Sequence, residues 1–158
     1  MIALACVLFL AQGCSPTAIE VTPVEHVVRS AGLNAQAALR EINAFRRKHG
    51  LKPLVLDQRL SKAASRQARD QARRGAIGHK GADGSKPKQR AERAGYKASL
   101  AAENVASGQK SFSQALRGWE RSPEHKRNLL LPSAEAAGVA VSYRNGRAYY
   151  TLVLGSER

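Results

Sequence analysis

Cysteine is almost missing from this chain of 158 residues: Cys6 and Cys14 are the two present, and both lie in the first fourteen positions. The rest of the chain therefore has no disulfide framework, no thiolate metal site and no cysteine nucleophile. Aromatic residues are scarce, at 5%, and alanine supplies much of the apolar content. That predicts a core of close-packed helices around a few large anchors, Trp119 being the largest. Acidic residues are few as well, 12 against 26 Lys and Arg, for a formal net charge of +14. None of this charge lies in residues 1–14, so a processed chain keeps all of it. Such an excess bears on solubility and polyanionic neighbours, and not on fold. Zinc-finger spacing, an aromatic RNA-binding signature and heptads after a basic region are all lacking, so no specific nucleic-acid partner is expected. Repeats and low-complexity segments are lacking too. The length suits one domain with a short appendage, large enough to bury a core without disulfides or metal.

The long apolar run that the sequence does have is Met1–Ala11, followed by Gln12-Gly13-Cys14-Ser15-Pro16. It is too short for an ordinary membrane-spanning helix and reads as a signal peptide over residues 1–14. Leu10-Ala11-Gln12-Gly13-Cys14 resembles a bacterial lipobox, with Ala11 where leucine is usual. The customary positive start is missing, which points to a start further upstream. Cys14 is the expected lipidation site, and Ser15 after it favours outer-membrane sorting in a Gram-negative cell. The alternative is an ordinary cleaved signal peptide with an incidental cysteine. Residues 15–33, with Pro16 and Pro23, read as a tether with a short extended piece at Ile19 to Val28, and His26 as a solvated linker histidine.

The folded domain is expected over residues 34–158. Asn34 caps a first helix to about Lys48, with Ala38, Leu39, Ile42 and Phe45 inward and Arg40, Arg46, Arg47 and Lys48 solvated. His49 is a cation at that helix's C-terminus. Asp57 caps a second helix to about Arg74, with Leu60, Ala63, Ala64, Ala68 and Ala72 inward, Lys62, Arg66, Arg69 and Arg73 outward, and Gly75 as stop. Gly78–Gly84 is a glycine-punctuated turn carrying His79. Ser85 or Asp83 opens a short helix around Pro87 to Ala94, and Leu100 to Val105 is a candidate strand bearing Glu103. A helix from Ser111 carries Phe112, Ala115, Leu116 and Trp119. Ser122-Pro123 ends it and starts a new turn that holds His125 and Asn128. Asn145-Gly146 joins two alternating strands, Ala137 to Tyr143 and Arg147 to Leu154, into a hairpin. Residues 66–97 hold ten Lys or Arg against three Asp or Glu, which is either a solvated face or an anion-facing patch.

Taken together, these motifs resemble the CAP superfamily (cysteine-rich secretory proteins, antigen 5 and pathogenesis-related 1) in its bacterial SCP-like form, over about residues 36–155. The carriers are Ile42-Asn43-Ala44-Phe45-Arg46 with Gly50-Leu51-Lys52-Pro53-Leu54; Asp57 to Ala64; His79 with Ala82-Asp83-Gly84; Arg93-Ala94-Gly95-Tyr96; Glu103 to Gly108; Trp119 with Ser122-Pro123-Glu124-His125 and Asn128-Leu129-Leu130; Gly138-Val139-Ala140; and Tyr149-Tyr150-Thr151. The resemblance implies an α+β fold, a three-layer α-β-α sandwich with a small, mainly antiparallel central sheet.

It also implies a cleft lined by His79, Glu103 and His125. Two imidazoles and a carboxylate can hold a divalent metal, zinc or magnesium, with positions left for water, or can form a polar cluster that orders loops. Two departures stand out. The histidine of the vertebrate and plant His-Tyr-Thr-Gln pattern is replaced here by Tyr149, and their second acidic residue has only a loose counterpart in Glu120. Ser107 reads as a turn serine, since no acidic partner completes a triad, and Asp83 as a turn residue. The reading is therefore a non-catalytic binding module, a monomer exported to the cell envelope. A lipid anchor would hold it to the outer membrane facing the periplasm, or it would be secreted. Its basic face would meet anionic lipid, lipopolysaccharide or polymer. The alternatives are a metal-dependent hydrolase of peptide or peptidoglycan, using Glu103, His79 and His125, and a purely structural envelope domain.

Overall fold

The computed structural model describes residues 28–30 and 32–158. The signal segment, Cys14, His26 and most of the expected tether lie outside them. Strand β1 (Val28–Ser30) falls at the end of the stretch read as extended. It is followed by α1 (Ala35–Lys48), β2 (Val55–Leu56), α2 (Gln58–Arg74), α3 (Pro87–Arg93), β3 (Ala98–Ser107), α4 (Phe112–Arg121), α5 (Pro123–Leu129), β4 (Ala136–Arg144) and β5 (Arg147–Glu157). The sheet runs β1-β4-β5-β3, antiparallel throughout, with the two-residue β2 pairing β4 in parallel.

Local signals place most boundaries. Asn34 accepts the Ala37 N–H at 2.9 Å, Asp57 accepts those of Arg59 and Leu60, and Ser111 accepts that of Gln114. Each satisfies a donor that the first helical turn leaves free. Gly75 ends α2 in the left-handed region. Asn145 and Gly146 both have positive φ, +49° and +75°, as the tight hairpin turn requires. The third helix starts differently from expectation: Lys86 occupies the cap position, and Asp83 instead accepts from the Ser85 N–H inside the preceding turn.

Alternation along the strands sends residues to two helical layers. One face of the sheet packs against α1, α4 and α5 around Ile42, Phe112, Leu116, Trp119, Tyr150, Leu152 and Leu154. The other meets α2 and α3 through Leu60, Ala64, Ala91, Tyr96 and Val153. This is the α-β-α sandwich. Gly138 permits a close approach of α2: a Cβ there would stand 2.1 Å from the backbone of Leu60 and Ser61. Helix and strand backbones are in direct contact there, which any side chain at Gly138 would prevent.

One assignment is overturned. Arg46, read as solvated, is fully buried. Its Nε donates to the Lys52 carbonyl at 3.0 Å, its Nη1 to Leu129 and Leu131 at 2.8 and 3.0 Å, and its Nη2 to Ala134 at 3.4 Å. The turns after α1 and α5 bring their carbonyls inside, and a five-donor guanidinium is the side chain that can serve several at once.

Candidate functional site

β3 is an edge strand, and the helices of both layers meet over it. Two side chains hold α4 and α5 to it. Trp119 Nε1 donates to the Val105 carbonyl at 3.0 Å, and Asn128 Nδ2 donates to the Glu103 carbonyl at 3.2 Å and to Asn104 Oδ1 at 2.9 Å. Asn104 Nδ2 in turn donates to the His125 carbonyl at 3.0 Å. These bonds satisfy backbone groups that an edge strand would otherwise expose, and they set His125 beside the strand.

His79 approaches from the other layer. The loop that carries it is tied to α2 by two side chains one helical turn apart. Gln67 Nε2 donates to the Gly78 carbonyl at 2.5 Å, and Asp70 Oδ2 accepts from the Ala82 N–H at 3.2 Å. Gly81 fits because a Cβ there would lie 2.6 Å from Ser85 Oγ.

The centre is Glu103, whose side chain is 1% exposed. Its Oε1 pairs with His79 Nδ1 at 3.0 Å, and its Oε2 accepts from Arg90 Nη2 at 2.6 Å. Arg90 is wholly buried, and its Nη1 also donates to the Ser85 carbonyl. His79 is 56% exposed and forms the solvent side. His125 Nδ1 pairs with Ser122 Oγ at 2.9 Å rather than with a carboxylate. Beside it runs a groove of about 450 Å³, lined by Ile77, Val105, Gln109, Trp119, His125 and Arg147 among others.

The two imidazoles are driven apart electrostatically. The Glu103 hydrogen bond raises the pKa of His79, against an opposing effect of burial. Burial lowers that of His125, and the neighbouring charge on His79 lowers it further. A raised histidine pKa gives stability that is complete below the unfolded value and is lost as pH rises through the folded one. For His125 the sign reverses: stability present above the unfolded value is lost as pH falls. Histidine NMR titration should therefore show His79 protonating first on acidification and His125 later. Glu103→Gln should bring His79 back toward the ordinary value. Coincident titration curves for the two rings would contradict this electrostatic arrangement.

The structure thus gathers His79, Glu103 and His125 around β3. Glu120 does not join them: it lines a different depression with Glu41, Phe45, Lys48 and Arg117, between α1 and α4. Ser107 Oγ accepts from Arg147 and lines the groove beside His125, while Asp83 bridges Arg66 and Arg93 away from it. Tyr149, where the family resemblance would put a histidine, is buried in β5.

As a ligand set for a divalent ion, the three residues fit only in part. Both oxygens of Glu103 are engaged, and a guanidinium 2.6 Å away opposes a second cation. Among the described residues no group of three His, Cys, Asp or Glu side chains is arranged to hold a metal. The imidazoles remain as donors.

Arg90 is the principal site residue that sequence reasoning missed. A signal existed: Pro87, Arg90, Ala91 and Ala94 form an i, i+3, i+4, i+7 series, which puts the arginine on the inward stripe of α3.

The profile of the Cysteine-rich secretory protein family, CAP, matches residues 39–154. The uncharacterized protein YkwD of Bacillus subtilis is 34% identical over 97 residues, which cover 61% of this chain and 38% of that protein. The chain thus spans well under half of this relative's length. Among solved structures, an outer surface protein from Borrelia burgdorferi superposes with a TM-score of 0.76 at 22% identity, over 84% of this chain and all of that one. An extracellular protein containing a SCP domain, from Bacillus anthracis, gives 0.72 at 26% identity, over 78% of this chain and 40% of that one.

Proposed function

The chain belongs to the cysteine-rich secretory protein family, CAP, and from that premise we propose that it is a non-catalytic binding module of the cell exterior. Its cleft at His79, Glu103 and His125 takes a small polar ligand, and its basic face lies against anionic envelope material. The observation that carries this reading is the double engagement of Glu103, by Arg90 and by His79. A general base or metal-bound water activator needs a free carboxylate, and this one is held as the counter-ion of a buried guanidinium. His125 instead offers a ring nitrogen to a groove with the apolar wall of Val105 and Trp119, and the half-exposed ring of His79 lies on the solvent side of Glu103.

The exterior location draws on relatives described as an outer surface protein and an extracellular protein. Among the described residues no helix is long and apolar enough to cross a membrane, and Cys14 is the proposed anchor. If the cleft takes a metal, His79 and His125 would hold it through ring nitrogens, and its chemistry there would be to coordinate a ligand. Imidazole suits zinc, whereas magnesium demands oxygen donors.

Two measurements test the reading. Wild type and Glu103→Gln should both fail to release product from peptidoglycan fragments or a peptide library, with zinc present or absent. Turnover by wild type that the variant lacks would establish the hydrolase instead. In calorimetry, zinc should give a weak signal that His79→Ala abolishes, and magnesium none. A strong magnesium signal would overturn this account of the donor set.

A further inference from the structure

Outside the cleft, a groove of about 160 Å³ between α2 and α3 is lined by five cationic side chains. Lys62, Arg66 and Arg69 face it from one helix and Arg90 and Arg93 from the other, with Ala63 and Ala94 between. These five cations meet two carboxylates. Glu103 takes the inner side of Arg90. Asp83 Oδ2 accepts from Arg66 Nη2 at 3.0 Å and from Arg93 Nη1 at 2.5 Å. Among the described residues Lys62 and Arg69 have no carboxylate partner. Arg90 Nε is buried without a protein hydrogen-bond partner.

We propose that this groove is a phosphate-binding site, in which Lys62, Arg66, Arg69 and Arg93 receive one phosphate group against the wall formed by Arg90. The inference rests on the basic-face reading above and gives that face a defined pocket and ligand class. Asp83 shows that two guanidiniums from different helices already converge on a single anionic oxygen. Guanidinium forks match the oxygens of phosphate, and the exposed Lys62 adds a compact charge. The alanines leave the space, and its volume admits one tetrahedral oxyanion group rather than a chain of sugars. Asp83 both holds the two arginines together and competes with the incoming anion.

The test uses the full chain and inorganic phosphate, followed by NMR of the arginine Nε–H signals. Phosphate should give saturable shifts at Arg66, Arg69 and Arg93. Arg93→Ala should weaken binding about tenfold, the loss of one charge-assisted contact. Asp83→Asn should tighten it, because a competing charge is removed and the turn amide is kept. Arg117→Ala, on the exposed face of α4, should change nothing. Failure to saturate, or equal affinities for Arg93→Ala and Arg117→Ala, would overturn the site. Phosphatidic acid vesicles separate the sources. Retention that Arg93→Ala and Arg69→Ala lose assigns a lipid-borne phosphate, while saturation by free phosphate without retention assigns a soluble one. If these variants bind anionic vesicles like wild type, in a salt-dependent way, vesicle binding belongs to the broader basic face, and the free-phosphate arm alone decides the groove. If no anionic vesicle binds at any salt, the basic-face reading falls, and the free-phosphate arm still decides the groove.

Discussion

Replacing Arg90 with leucine should cost about 3–5 kcal/mol of stability, the range for breaking a buried ion pair from one side. The cause is the carboxylate left behind. Glu103 is 1% exposed, and without Arg90 its remaining partner would be a single, largely exposed imidazole. The Ser85 carbonyl would lose its donor as well. In a domain of this size such a loss lowers the melting temperature by roughly 10 °C or more. Removing both charges together, as Arg90→Met with Glu103→Leu, should recover most of the loss, because no uncompensated ion is left inside. The titration of His79 supplies a second readout. Arg90 lowers the His79 pKa through its charge, so the single variant should raise it. Thermal and urea unfolding of the two singles and the double would measure the coupling. An Arg90→Leu protein no less stable than Arg117→Leu would show that the pair contributes nothing.

Arg46→Leu should be nearly as damaging, costing about 3 kcal/mol or more, since buried carbonyls left without donors each cost about 1–3 kcal/mol. Four carbonyls share that guanidinium: one in the turn after α1 and three between Leu129 and Ala134. Among the described residues no carboxylate pairs with it, and burial lowers its pKa, so its value lies in hydrogen bonding rather than in an ion pair. Arg46→Lys should restore only part of the stability, because one ammonium cannot reach both turns as a planar fork does. Hydrogen exchange should show residues 129–134 opening first. This segment ends α5, the helix that positions His125, so the site loosens with it. An unchanged denaturant midpoint for Arg46→Leu would refute this role.

These two arginines mark the boundary of what could be read in advance. The caps at Asn34, Asp57 and Ser111, the stop at Gly75 and the turn at Asn145-Gly146 were legible because each acts on backbone groups within about four residues. The inward faces of α1, α2 and α4 were legible from their periodicity. His79, Glu103 and His125 were picked out by the motifs around them, and they do gather at one strand. Glu120 misled because adjacency to Trp119 in sequence is not adjacency in space: neighbours on a helix diverge by about 100°. The burial of Arg46 depends on carbonyls 83, 85 and 88 residues away, and that of Arg90 on a strand reached only after a further turn.

From the sequence alone, then, came the elements, by local pattern, and, through the family resemblance of its motifs, the sandwich and the choice of His79, Glu103 and His125 as candidates. Tertiary structure alone decided that Glu103 is already paired, that His79 and His125 are pushed to opposite protonation preferences, and that an unremarked arginine holds the centre. The reason is that a charge inside a protein is tolerable only where distant segments bring it partners, and no local pattern encodes that meeting.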